Sequence, residues 1–315
     1  MEGDKLEITD KINELKKHIE LNPGDYDAQK QLAFLYIDEG SLNPALEIFQ
    51  NLVKIFQQDG ELFFNIGIIY EKLKNTQEAL AAYTKAVQLS PDDADFNYNL
   101  AFLYDQTGQI DKAIALYKKV LSLDANDANS YFNLGCLLSK TNQSQEAIKY
   151  LEHAIILNPQ DSYAYFYLAY EYNKMGLKQK AIEYYKKVIK INPEYSWAYY
   201  NIACIYLESK DYDNALRFIE QTIEINPNDI EAYRTLALIF NNTNKINNAI
   251  EKISQAVANN PDLADLHCIL AKLYLQINDK EKAISEYKKA LLNSEKLKAP
   301  VEKIKLELNN LTLKV

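Results

Sequence analysis

SYAYFYLAYEYNKMGLKQKAIEYYKKVIKINPEY, residues 162–195, packs six aromatic rings into its first twelve positions, five of them tyrosine. At roughly 100° per residue, Tyr165, Leu168, Ala169 and Tyr172 share one face of a helix. Tyr163, Phe166, Tyr167 and Tyr170 lie nearly opposite. A surface helix normally carries one apolar stripe and one polar face. A helix with two aromatic faces needs a core on one side and a second partner, a neighbouring helix or a ligand, on the other. Gly176 stands where a left-handed C-cap would end this helix, and Asn192–Pro193 stops a second one, because a proline keeps the residue before it out of the α region.

The same punctuation recurs on both sides. Pro23, Pro91, Pro159, Pro193, Pro227 and Pro261 lie on one lattice of period 34, with Gln57, Ala125 and Glu295 at its other points. Eight repeats follow: 26–59, 60–93, 94–127, 128–161, 162–195, 196–229, 230–263 and 264–297. Position eight is always small (Ala33, Gly67, Ala101, Gly135, Ala169, Ala203, Ala237, Ala271) and position twenty is always alanine, from Ala45 to Ala283. Position seven is Leu or Ile throughout, and position eleven is aromatic in all repeats but the one with Leu138. Each repeat reads as two helices, over roughly positions two to fourteen and eighteen to thirty. Gly40, Gly108, Gly176 and Asn142 fall between them as expected C-caps. Asn43–Pro44 is expected to start the second helix of the first repeat as N-cap and N1. Small residues at eight and twenty let the paired helices approach closely.

These columns resemble the tetratricopeptide repeat, over residues 26–297 and without an insertion. The tryptophan of that family's fourth position is replaced by Phe63, Tyr131, Tyr165, Tyr199 or Tyr233 in most repeats. The resemblance implies an all-α fold, a right-handed superhelical solenoid of helix-turn-helix repeats. Two flanking segments complete it. Residues 1–25 form a half-repeat cap with Ile8, Ile12, Leu15 and Ile19 at helical spacing, and residues 298–315 form a C-terminal cap with Val301, Ile304, Leu308 and Leu311. The whole is expected to be one continuous array whose stability is roughly a sum of nearest-neighbour terms.

In this family the first helices line a concave groove with positions two, five, six and nine. Position five reads Phe64, Tyr98, Phe132, Phe166 and Tyr200 through the middle of the chain. Position six supplies Asn65, Asn99, Asn133, Tyr167 and Asn201; position two supplies Tyr163 and Trp197; position nine supplies Tyr170. An Asn amide offers both donors and an acceptor, so one per repeat can bond the backbone of an extended peptide whatever its side chains. Aromatic neighbours add rigid apolar contact area. These thirteen residues are the expected peptide-binding groove, with Phe166, Tyr167, Tyr170, Trp197 and Tyr200 at its centre and Tyr165 and Tyr172 in the core. The competing reading is that the rings of position five half-bury against the next first helix.

The family's carboxylate clamp for acidic chaperone tails is not matched. Lys30 and Asn65 fit it, but Phe34 stands at position nine and Asp95 where a base belongs. Asp27, Glu61, Glu71, Asp95 and Asp105 flank the groove, so a neutral or basic protein or peptide is expected. The net charge of −9 and the presence of only two arginines, Arg217 and Arg234, argue against nucleic acid. No run of eighteen apolar residues spans a membrane, and the charged start has no apolar signal core. Cys136, Cys204 and Cys268 are far apart and read as free thiols, so a reducing, cytoplasmic setting is expected. His18, His153 and His267 are scattered, and no glycine run makes a phosphate loop. The expectation is a non-catalytic scaffold without cofactor or metal. The alternative is a structural subunit of a self-assembling, cell-envelope or secretion complex.

Overall fold

The computed structural model describes residues 2–312. All of its elements are helical, with no strand among the described residues. Helix α1 (Glu2–Leu21) precedes eight helix pairs. In the first four, α2 (Tyr26–Glu39) pairs with α3 (Leu42–Ile55), α4 (Gly60–Lys72) with α5 (Thr76–Leu89), α6 (Ala94–Gln106) with α7 (Ile110–Leu123), and α8 (Ala128–Lys140) with α9 (Ser144–Leu157). Then α10 (Ser162–Lys174) pairs with α11 (Lys178–Ile191), α12 (Ser196–Glu208) with α13 (Tyr212–Ile225), α14 (Ile230–Asn242) with α15 (Ile246–Asn259), and α16 (Ala264–Gln276) with α17 (Lys280–Leu292). A short 3-10 turn, Ser294–Lys296, leads to α18 (Val301–Thr312). Residues 1 and 313–315 of the expected caps lie outside the described residues. Contacts gather the helices into two compact units, Met1–Asn158 and Pro159–Val315.

Two devices repeat within both units. The first is close packing inside each pair. Every alanine at position twenty is fully buried, and beside it position twenty-four carries a large buried side chain: Phe49, Tyr83, Tyr117, Leu151, Tyr185, Ile219, Ile253 and Tyr287. Where position eight is glycine, at Gly67 and Gly135, there is no room for a side chain. A Cβ on Gly67 would stand 2.5 Å from Cδ1 of Tyr83, whose hydroxyl is tied to Glu71 at 2.8 Å. Gly67→Ala is therefore expected to overpack the pair, costing about 1–3 kcal/mol in urea denaturation. An unchanged midpoint would show that the Tyr83 ring yields freely.

The second device is the turn inside each pair. Position fifteen is left-handed in all eight repeats: Gly40, Gly108 and Gly176, but also Lys74, Asn142, Lys210, Asn244 and Asn278, with φ between 56° and 90°. The turn uses the last carbonyls of the first helix. Gly40 N–H reaches Ile37 O at 3.1 Å and Ser41 N–H reaches Tyr36 O at 2.8 Å. A lysine in this conformation crowds its Cβ against the following carbonyl. Lys210→Gly is expected to raise stability by about 0.5–1 kcal/mol, read as a higher melting temperature.

Helix starts differ in part from the sequence expectation. Asp25, Asp59, Asp93, Asp127, Asp161 and Asp229 cap first helices with their carboxylates, accepting from N–H groups two or three residues on. Asn43 is not a cap: α3 starts at Leu42 behind Ser41, with Pro44 inside the first turn. A proline there removes only an N–H that has no helical partner anyway.

A further pair joins positions four and twenty-three of one repeat. Tyr131 meets Tyr150 at 6.1 Å between ring centroids, Tyr165 meets Tyr184 at 6.2 Å, and Tyr199 meets Phe218 at 6.4 Å. In the last repeat the same places hold a buried His267 and Glu286, with Nδ1 donating to Oε2 at 2.5 Å, and Lys289 reaches the other carboxylate oxygen at 2.6 Å. Burial pushes the Glu286 carboxyl up, but the hydrogen bonds from His267 and Lys289 outweigh it and hold it below the ordinary 4.5. A depressed carboxylate contributes its stability above the unfolded value and loses it as the pH falls through the folded one. Amide protection in α16 and α17, relative to the intrinsic exchange rate, is thus expected to fall below about pH 4.5 more in the wild type than in Glu286→Gln. An equal fall in both would remove Glu286 as the cause.

Candidate functional site

Within each unit the first helices lie side by side. Phe64 of α4 stacks on Phe96 of α6 at 4.6 Å, and Asn133 of α8 donates to the Tyr98 hydroxyl of α6 at 3.1 Å. In the second unit Arg234 of α14 reaches Asp265 of α16 at 3.3 Å. Positions two, five, six and nine consequently share one face of each unit.

The rings of position five sit low in that face. Phe64, Tyr98, Phe132, Phe166 and Tyr200 are all half-buried. Three of them sit on a buried ring of position twenty-four: Phe64 on Tyr83 at 5.5 Å, Tyr98 on Tyr117 at 5.7 Å, Phe166 on Tyr185 at 5.4 Å. Part of each of these three rings is thus taken up by the second helix of its own repeat, and Phe64 also stacks on Phe96 of the next first helix. Burial pushes the Tyr98 and Tyr200 hydroxyls above their ordinary value, so both keep their protons.

The asparagines of position six are partly engaged with their own chain. Asn65 is buried and donates to Glu61 O at 2.9 Å; Asn99 donates to Asp95 O at 2.8 Å, and Asn201 to Trp197 O at 2.7 Å. Each donation uses one N–H of the amide, which carries two. Asn133 turns its amide to Tyr98 instead.

The accessible rings are those of positions two and nine. Tyr163 and Trp197 are each 56% exposed and Tyr170 is 43% exposed. Trp197 stands edge-on to Tyr200 at 5.8 Å, and Tyr163 edge-on to Tyr195 at 5.6 Å. Tyr195 also packs on Phe166 at 5.1 Å, and Phe166 meets Tyr167 at 5.9 Å. Tyr195 lies outside both helices of its repeat, so helical periodicity gives no signal for it. Beneath them the Tyr185 hydroxyl is buried without a hydrogen-bond partner. Tyr172 is core, as expected. Tyr165 is only half-buried, because its ring lies on the outer side of Tyr184 with Lys187 Nζ 5.8 Å above it.

In the first unit Asp27, Glu61 and Asp95 are exposed and form no ion pair among the described residues. Glu71 accepts from Tyr83, and Asp105 pairs with Lys140 at 3.2 Å. Burial pushes the Cys204 thiol up and the Cys268 thiol up to about 12, and a protonated thiol is a poor nucleophile. No group of three His, Cys, Asp or Glu side chains suited to a metal occurs among the described residues.

Family profiles described as tetratricopeptide repeat match residues 31–94, 72–135, 128–161 and 174–239. One described as anaphase-promoting complex, cyclosome, subunit 3 matches 208–290. Among solved structures, MamA is similar at 30% identity and a TM-score of 0.51, over 53% of this chain and 97% of MamA. YrrB, described as a TPR protein with an unusual peptide-binding site, is similar at 24% identity and a TM-score of 0.54, over 59% of this chain and 96% of YrrB. A tetratricopeptide repeat protein from Parabacteroides merdae ATCC 43184 is similar at 21% identity and a TM-score of 0.56, over 81% of this chain and 99% of that one. The last two likenesses speak to the fold alone. No curated protein matches the chain.

Proposed function

Since the chain belongs to the tetratricopeptide repeat family, we propose that it is a non-catalytic protein-interaction scaffold that binds an extended peptide segment on its first-helix faces. One observation carries this reading. Tyr163, Tyr170 and Trp197 leave about half of their large rings open to water on one face of the second unit, and grouped exposed aromatics of this kind mark interaction surfaces. Their edge-on neighbours Tyr195 and Tyr200 hold two of them in place, so little rotamer freedom is lost on binding.

Polar groups assist. The second N–H and the carbonyl of Asn201 are left for a peptide backbone, and the other asparagines of position six serve the same role where they are accessible. On the first unit the unpaired carboxylates Asp27, Glu61 and Asp95 favour a neutral or basic segment and repel nucleic acid. The free thiols Cys136, Cys204 and Cys268 suit a reducing, cytoplasmic setting. No helix among the described residues is long and apolar enough to cross a membrane.

The test is a fluorescence-anisotropy screen of twelve-residue peptides against the purified chain and its Tyr163→Ala/Trp197→Ala variant. The reading requires peptides that bind the first and are lost by the second while its circular dichroism melt is unchanged. Hits retained by the variant would sink it. Light scattering separates the alternative: a stable oligomer that dissociates in the variant would assign the rings to self-assembly.

A further inference from the structure

A cavity of about 690 Å³ opens on the first-helix face of the last two repeats and is closed on one side by the segment leading into α18. Its origin is local. Ala237 is the one position-eight residue of the eight that is only half-buried, and it lines this cavity. The floor is apolar, formed by Ala237, Leu238, Cys268 and Ile269, and Leu238 is 48% exposed.

The charges on the wall are unevenly matched. Each of its carboxylates already has a partner. Asp265, buried, receives Arg234 at 3.3 Å and the Lys298 backbone N–H at 2.9 Å; Glu231 holds Arg234 at 2.8 Å; Glu307 accepts from the Tyr287 hydroxyl at 2.5 Å. Lys272, Lys298 and Lys303 also line the cavity, and their ammonium groups form no ion pair among the described residues. All three are exposed at the rim. In a chain of net charge −9, this is a local excess of unpaired positive charge around an apolar floor.

We propose that this cavity is a second binding site, for a partner segment in which acidic side chains alternate with apolar ones. It rests on the reading that the chain binds peptides. The apolar side chains enter over Leu238 and Ile269, and the carboxylates meet the lysines at the rim. Lysine suits this role: its ammonium is a compact point charge on a flexible stem and accepts a carboxylate from many directions. The arginine of the wall is held by Glu231 and Asp265, so it orders the cavity and is not free for the ligand. None of the residues involved belongs to the carboxylate clamp considered from the sequence, and the acidic preference here is opposite to that proposed for the first unit.

The experiment titrates two fluorescein-labelled, C-terminally amidated peptides, (Leu-Glu)4 and its isostere (Leu-Gln)4, into the full chain. The acidic peptide is expected to bind roughly tenfold tighter at low salt, with the gap closing as salt is added. Lys272→Gln/Lys303→Gln, which changes only exposed side chains, is expected to abolish the gap while its melt stays unchanged. Trp197→Ala is expected to retain it. Equal binding of the two peptides, or a gap that survives the double lysine variant, overturns the proposal. If the gap is absent but both peptides weaken in Trp197→Ala, the aromatic face stands and the cavity falls. If the gap behaves as expected and no peptide responds to Trp197→Ala, the cavity stands and the aromatic face falls.

Discussion

Trp197→Ala is expected to weaken the binding of a peptide ligand by at least about 2 kcal/mol and to shift unfolding by no more than about 0.5 kcal/mol. The indole is more than half exposed and touches the fold mainly through the edge of Tyr200. Little packing is lost when it goes. The carbonyl of residue 197 still accepts from Asn201, because that bond belongs to the backbone. What disappears is a large, preoriented apolar surface, the kind of group that dominates interface energetics. Anisotropy titration and urea denaturation of the same preparation decide it. Early unfolding with normal affinity would mean that the ring is packing and not contact surface.

Tyr172→Ala should show the opposite pattern, a loss of about 3–5 kcal/mol of stability with affinity unchanged. Tyr172 is 6% exposed, stacks on Tyr184 at 5.3 Å with 19° between planes, and has Lys180 Nζ 5.0 Å from its centroid. Truncation leaves a cavity between α10 and α11 that neither helix closes without moving the other. Tyr165→Ala, on the same Tyr184 ring but half-buried, should cost less. The two losses should not add, because both act through Tyr184. Additive losses would show that the two tyrosines pack independently.

Much of this was readable from the chain because repetition amplifies weak local signals. One alanine says little, but alanine at position twenty in eight consecutive repeats requires a close helix approach, and all eight are buried. The left-handed turn was readable at Gly40, Gly108, Gly176 and Asn142. It was hidden at Lys74 and Lys210, where the tertiary frame imposes a conformation that lysine does not favour. The aromatic face was legible in direction and not in depth. A helical wheel gives the angle at which Phe64 or Phe166 leaves its own helix. Its burial is set by Tyr83 or Tyr185 beneath it, more than a helix away in sequence. Tyr195 and the cavity beside Ala237 lay outside the pattern for a related reason: each arises from a residue between helices or from a departure from the regular packing.

The pairing of positions four and twenty-three also bears on how such a chain is edited. Tyr165 with Tyr184 and His267 with Glu286 are each complete within one 34-residue repeat. A duplication or transposition that carries a whole repeat moves both members together and leaves no buried group without its counterpart. An exchange of single helices does not: α16 set against α11 would place His267 beside Tyr184 and leave Glu286 behind. The smallest interchangeable part of this protein is therefore the helix pair, and recombination points that preserve folding should fall in the turns between repeats.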